Sequence, residues 1–214
     1  MSQQGLKDSR ERILHAATAL FAQKGFAAVG VREIAKSAGV NIAMISYYYE
    51  GKIGILKAVM DRFFVLYNKV FHVLDMGTKA PEECVSEIIH NLVEFVRENT
   101  ELAMVAYNEL PLDTPEMAEY KAERISQLIT KMKGLISRFH LNSGDVLQMG
   151  VVGPSLVSMI FMNFRIRPLL KRIFNTDFDD VYYQQFTKNI TTLFLEGVKG
   201  MAAQNQISKG DNIA

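Results

Sequence analysis

Along the first fifty residues, apolar positions recur at helical spacing in three short stretches. In the first, Ile13, Ala17, Leu20 and Phe21 form one stripe of a helix. Asp8-Ser9-Arg10-Glu11 before it reads as a capping box, with Asp8 as cap and Glu11 reaching back. Lys24-Gly25-Phe26 reads as its end, Gly25 turning the chain and Phe26 returning to the core. The second stretch puts Val31, Ile34, Ala35 and Ala38 on one face, and Arg32, Glu33, Lys36 and Ser37 on the other. Gly39 supplies the turn, because glycine accepts a positive φ without a Cβ clash. Asn41 stands where an N-cap belongs. Val40 and Ile45 hold the third helix against the second. Ile42, Ala43, Met44, Ser46, Tyr47 and Tyr48 are left for the outward surface. Two short helices and a tight turn, over Val31 to Lys52, make a helix-turn-helix pattern, whose second helix suits a DNA major groove.

The rest of the chain also reads as helix. One long helix is expected from Lys52 to Met76, broken at Met76-Gly77-Thr78. Pro81 opens the next, with Glu82 and Glu83 at its positive end, and it runs to about Asn99. A shorter helix covers about Leu102 to Leu110. Thr114-Pro115-Glu116 starts another, to about His140. Ser143 is expected to cap a helix reaching Phe174, kinked at Pro154. The last runs from about Asp179 to Ala203, and residues 204–214 read as a disordered tail. Strand alternation and internal repeats are not seen. The pattern is all-α: a three-helix head over residues 1–51 and a larger helical body over 52–203.

The run RERILHAATALFAQKGFAAVGVREIAKSAGVNIAMISYYYEGKIGIL resembles the DNA-binding region of TetR-family transcriptional regulators, over roughly Arg10 to Leu56. The pieces are Ile13-Leu14-x-Ala16-Ala17, Leu20-Phe21, Lys24-Gly25-Phe26, Ile34-Ala35, Ala38-Gly39-Val40, the tyrosine run and Lys52. Their order and spacing carry the likeness. Three positions depart from it: Gly30 stands where a capping Ser or Thr is frequent, Ser46 where Tyr is, and Ile53 where Glu is. The resemblance implies a DNA-binding set of Arg32, Asn41, Ile42, Ala43, Met44, Ser46, Tyr47, Tyr48 and Lys52. Arg32 would reach a base or phosphate. Ile42, Ala43 and Met44 offer methyl contacts to thymine. Tyr47, Tyr48 and Lys52 meet the sugar-phosphate chain. Tyr49 takes a phenylalanine slot and should pack inside the head.

Charge sharpens this picture. The whole chain carries only +1, but residues 1–56 hold seven Lys/Arg against four acids, +3, leaving −2 for the remainder. A weakly basic head on an acidic body suits a protein that grips DNA at one end and as a dimer. Cys84 is the single cysteine, which fits a reducing cytoplasm and a small buried or half-buried helix position. No Ser/His/Asp arrangement, Gly-rich phosphate loop or metal-ligand spacing occurs, so neither an enzyme nor a cofactor or metal is expected.

Val146 to Phe164 is nineteen residues without a charge, close to a membrane span. Its Gly150, Gly153, Pro154, Gln148 and Asn163 favour a helix buried in a core or dimer interface instead. With the last helix it can close a four-helix bundle across a twofold axis, the arrangement the resemblance also implies. The expected interface residues are Val157, Phe161, Phe164, Phe186, Ile190, Leu193, Gly197 and Met201. TetR-like bodies take a small-molecule effector. Polar or adaptable residues on apolar helices are the candidates here: His72, His90, Met104, Tyr107, Asn108, Met159, Asn163 and Arg165. The expected function is thus a cytoplasmic repressor. It would bind double-stranded DNA as a homodimer and be released by an unknown, mainly apolar effector, with no membrane partner. The alternative is a helical protein–protein adaptor that has lost DNA binding, given the apolar Ile42 and Met44.

Overall fold

In the computed structural model of the chain, the apolar repeats become nine α-helices and one 3-10 segment, with no strand among the described residues. These are residues 3–76, 79–110 and 115–210; the side chains of 3–7, 75, 76, 116 and 205–210 are not described. The helices are α1 (Gln3–Lys24), α2 (Val31–Ala38), α3 (Ala43–Tyr49), α4 (Lys52–Tyr67), α5 (Pro81–Glu98), α6 (Thr100–Glu109), α7 (Pro115–Arg138), α8 (Val146–Phe174) and α9 (Asp180–Gly210).

Several boundaries differ from the sequence reading. α1 begins at Gln3, so Asp8 lies inside the helix. There it pairs with Arg12 one turn on, at 3.7 Å, and Glu11 reaches Arg62 at 3.1 Å. The helix expected to continue to Met76 changes at Asn68 to a 3-10 segment, Asn68–Met76. Three-residue turns align positions three apart, and Tyr67, Val70 and Val73 are all buried at that interval. Asp145, not Ser143, caps α8, its carboxylate accepting the Leu147 amide at 2.9 Å. Pro154 and Pro168 both lie within α8. α9 continues through Gly210, into the segment read as disordered. The Gly77-Thr78 break and the Thr114 cap lie outside the described residues. At α5 the reading is met in detail: Pro81 opens the helix and Glu83 accepts the Ala80 amide at 3.1 Å.

The chain divides into two compact units. The first joins residues 1–66 to 99–124. There α1 packs against α2, α6 and α3. Ile13, Ala17, Phe21, Ile34, Ile45, Ile55, Leu56, Met60 and Met117 are all but inaccessible to water. Each fully buried large side chain contributes roughly 1.5–3 kcal/mol. α4 and α7 are tied here by Asp61, whose carboxylate accepts from the Tyr120 hydroxyl at 2.8 Å and from Arg124 at 2.7 Å. The unit carrying the motif is therefore larger than the three head helices, since α6 and the start of α7 belong to it.

The second unit joins residues 67–98 to 125–214. α5 is its axis, packed by the 3-10 segment, α8 and α9. Cys84, Ile88, Ile89, Leu92, Val93 and Val96 are buried along it. At its end Arg97 pairs with Glu94 at 3.0 Å and Asp180 at 2.5 Å, and lies over the Tyr183 ring at 4.5 Å. α8 is long and apolar enough to cross a membrane by length and composition, and only 22% of its most apolar window is buried. Its inward stripe is Val152, Leu156, Ile160, Phe161 and Phe164.

Candidate nucleic-acid interface

The turn between α2 and α3 is held by the main chain. Gly39 adopts φ 63°, ψ 40°. The Val40 amide reaches back to the Ala35 carbonyl at 3.0 Å, and the Gly39 amide to Lys36 at 3.2 Å. This is the Schellman closure, satisfying two carbonyls the helix end leaves open. Asn41 then accepts the Ala43 amide at 2.9 Å, turning the chain into α3. Gly30 precedes α2 in extended conformation with no side-chain cap. A Lys24–Glu33 ion pair at 2.5 Å ties the ends of α1 and α2 across that loop.

The surface of α3 follows from this turn. Ile45 and Tyr49 are its buried face. Tyr49 donates its hydroxyl to the Arg10 carbonyl at 2.8 Å, and burial raises its pKa above the ordinary tyrosine value. Asn41, Ile42, Ala43, Ser46 and Tyr47 are exposed, as is Arg32 on α2, and Met44 is half-buried. Tyr47 is 75% exposed, the most open large apolar side chain among the described residues of the head. An exposed face this short, bearing Asn, Ser, Tyr and methyl groups, can donate, accept and pack against thymine methyls in a groove.

Two residues of the expected set stand elsewhere. Tyr48 is half-buried, edge-on to Tyr47 with ring centroids 4.9 Å apart, and its hydroxyl is buried without a hydrogen-bond partner. It is not placed to donate to a phosphate. Lys52 turns inward: its ammonium donates to the carbonyls of Phe26, Ala27 and Val29 at 2.8, 3.3 and 2.8 Å, and lies 4.3 Å from the Phe26 ring centre. An ammonium has three donors, and three acceptors take them. Its motif position suggests a phosphate; its contacts make it the lock of the α1–α2 loop. One residue of this region is missed by sequence reading. Glu109, at the end of α6, is 8% exposed and accepts the Phe26 amide at 3.3 Å. A Glu on the last turn of an amphipathic helix carries no sequence signal of burial.

The expected effector residues fall in both units: Met104, Tyr107 and Asn108 in the first, His72, His90, Met159, Asn163 and Arg165 in the second. His72, His90 and Arg165 are exposed. Asn163 donates to the Tyr182 hydroxyl at 2.9 Å, while its Oδ1 is buried without a partner. Of the expected dimer residues, Phe161 and Phe164 are buried within their own chain, 1% and 4% exposed. They therefore belong to the inward stripe of α8. Val157, Phe186, Ile190 and Met201 are half-buried, and Leu193 and Gly197 are exposed.

Comparison with known proteins agrees with this geometry. Residues 13–59 match the family described as bacterial regulatory proteins, tetR family. The probable HTH-type transcriptional regulator YttP of Bacillus subtilis (strain 168) is 32% identical over 113 residues, 52% of this chain and 55% of the relative. The chain spans about half the length of this and of the next curated relatives it matches. The HTH-type transcriptional regulator RutR of Escherichia coli (strain K12) is 23% identical over 89% of this chain and 90% of its own. The solved structure of the fatty acid degradation regulator FadR from Bacillus halodurans shares the fold, with a TM-score of 0.69 at 18% identity, over 88% of this chain and 95% of that one. These proteins are regulators, not enzymes. Head motif and relatives agree: residues 13–59 are a DNA-binding region of the tetR family of bacterial regulatory proteins, and the chain shares the fold of solved TetR-family regulators.

Proposed function

We propose that this protein is a cytoplasmic transcriptional repressor that binds a pseudo-palindromic operator as a twofold homodimer and is released by a small, mainly apolar effector. The observation that carries the reading is the α2–α3 unit. Its turn is closed by its own main chain, and it leaves Asn41 and Ile42, before the recognition helix, and Ala43, Ser46 and Tyr47, on it, facing outward. Arg32 beside them supplies a charge for base or phosphate. Met44, half-buried, supplies a methyl at the edge. With few hydrogen-bonding side chains on α3, sequence preference rests on Arg32, thymine contacts and DNA shape.

Dimerisation is supported by a second stripe on α8, opposite its buried one. Leu147, Val151, Met162, Leu169 and Ile173 are 44–79% exposed, at intervals of one or more helical turns. Exposed apolar rows of this length mark an interface. On α9, Leu193 and Gly197 are exposed as well. The dimer face therefore uses the outward side of α8, with Leu193, Gly197 and the half-buried Val157, Phe186, Ile190 and Met201, and leaves Phe161 and Phe164 inside. For the effector, the buried and unpartnered Asn163 Oδ1 offers one acceptor, suited to a molecule with a single donor group.

The test is selection of duplexes from a random DNA pool by the full-length protein. The expected outcome is two inverted half-sites with centres about 34 Å apart, one helical turn, or slightly more. Enrichment of unpaired sites, or of none, defeats the reading and favours the adaptor alternative.

A further inference from the structure

The two helices that lead into the recognition unit end differently. α2 ends by a closure that uses only its own carbonyls. α1 ends with Gly25 at φ 79°, its amide bonded to the Phe21 carbonyl at 2.9 Å. That is the simpler left-handed ending, with one bond in place of two. The next amide, Phe26 N–H, would bond back to α1 in the fuller closure. Here it is taken by the carboxylate of Glu109, from α6.

Burying a carboxylate costs free energy unless its bonds compensate. Glu109 spends its buried charge on one loop amide rather than on a surface cation. Its own main chain is fixed as well: Lys121 of α7, 5% exposed, donates to the Glu109 carbonyl at 2.8 Å. A cation suits a helix C-terminus. From the other side, Lys52 of α4 holds the carbonyls of Phe26, Ala27 and Val29. The loop between α1 and α2 is thus gripped through its backbone by both signs of charge, from two helices outside the motif. Val29, at its end, is 1% exposed, and α2 starts two residues later.

We propose that Glu109 is a positioning residue for DNA binding: its carboxylate fixes the α1–α2 loop, so that the α2–α3 unit takes its binding orientation only while the end of α6 is in place. This rests on the DNA-binding reading above. Any change that withdraws the last turn of α6 releases the Phe26 amide and loosens the motif without touching a DNA-contacting side chain.

The experiment compares full-length wild type, Glu109→Gln and Glu109→Leu at a temperature well below melting. One measurement is affinity for the duplex most enriched by wild type. The other is amide hydrogen exchange at Phe26, along α3 and along α5 of the second unit. Gln keeps an acceptor at the same reach, and its affinity should stay within about twofold. Leu keeps the volume and loses the acceptor. Its affinity should fall by about tenfold and its Phe26 and α3 amides should exchange faster, with α5 unchanged. Wild-type affinity in Glu109→Leu, or unaltered exchange at Phe26, overturns the proposal. Should the Leu variant fail to fold, Glu109→Asp keeps the charge but stops short of the amide. Faster Phe26 exchange is then expected, and an unchanged rate overturns the proposal. If wild type enriches no duplex, the DNA-binding reading falls, and the exchange measurement alone still decides whether Glu109 fixes the loop.

Discussion

At the scale of single residues, charged groups of the head serve the fold as much as any partner. Lys52 is the sharpest case. Family position assigns it to a phosphate, whereas its ammonium is engaged by three loop carbonyls. Hydrogen bonds involving a charged group contribute about 1.5–3 kcal/mol. The site is half-buried, so water replaces part of the loss. Lys52→Met should therefore cost about 1–3 kcal/mol of stability, read as a lower denaturant midpoint. The slope of log affinity against log salt should stay unchanged, because no counterion-releasing contact is removed. A slope lowered by about one unit per subunit, with stability intact, would return Lys52 to the phosphate. Tyr49 shows the same division. Sequence places it inside the head, and the structure adds the acceptor for its hydroxyl, the Arg10 carbonyl 39 positions earlier.

Among the elements, the α2–α3 turn is the one whose local chemistry fixes its geometry. Gly39 sits at φ 63°, and a Cβ there would meet only the far end of Arg12, at 3.8 Å. Space is available, so the cost of Gly39→Ala is conformational. The left-handed region disfavours a side chain by roughly 1–2 kcal/mol. We expect a lower melting temperature by a few degrees and weaker DNA binding, with no change in preferred sequence. Gly39→Asn should recover much of the loss, since asparagine tolerates that region; circular dichroism melts of both variants check it. Were Ala to melt with wild type, the left-handed turn would not be a constraint in solution. α8 is the contrasting element. Its nineteen uncharged residues say only that both sides can be covered. The buried stripe is chosen by α5 and α9, which pack on it.

For the molecule as a whole, that choice sets the expected assembly. With Val152, Leu156, Ile160, Phe161 and Phe164 turned inward, Val151 and Met162 face out, 51% and 44% exposed. Val151→Arg should leave the monomer folded, because the site is already open to water. It should split the dimer by placing two guanidinium groups against an apolar face across the twofold axis. Sedimentation should then report a monomer, and operator affinity should drop steeply, each half-site being held by a head of net charge near +3. Phe161→Ala is the control: it should lower stability by about 3–5 kcal/mol through a cavity. A dimeric Val151→Arg would remove this face from the assembly.

The sequence by itself determined most of the helices, the turn at Gly39 and the outward placing of Ala43, Ser46 and Tyr47 on α3. Each depends on neighbours within a few positions: an apolar residue every three or four, a glycine where φ must be positive, an asparagine two positions from the amide it accepts. It determined the kind of head as well, because the order and spacing of those local signals from Ile13 to Val59 is what the tetR family shares. Only the tertiary structure decided what long-range contacts decide. Those are which side of α8 is inner, where Asn68 leaves the α-helix, that Lys52 turns to Phe26 rather than outward, and that Glu109 reaches an amide 83 positions away. Helical periodicity states that a face exists. What lies against it is set by packing between segments distant along the chain, and no local pattern encodes that partner.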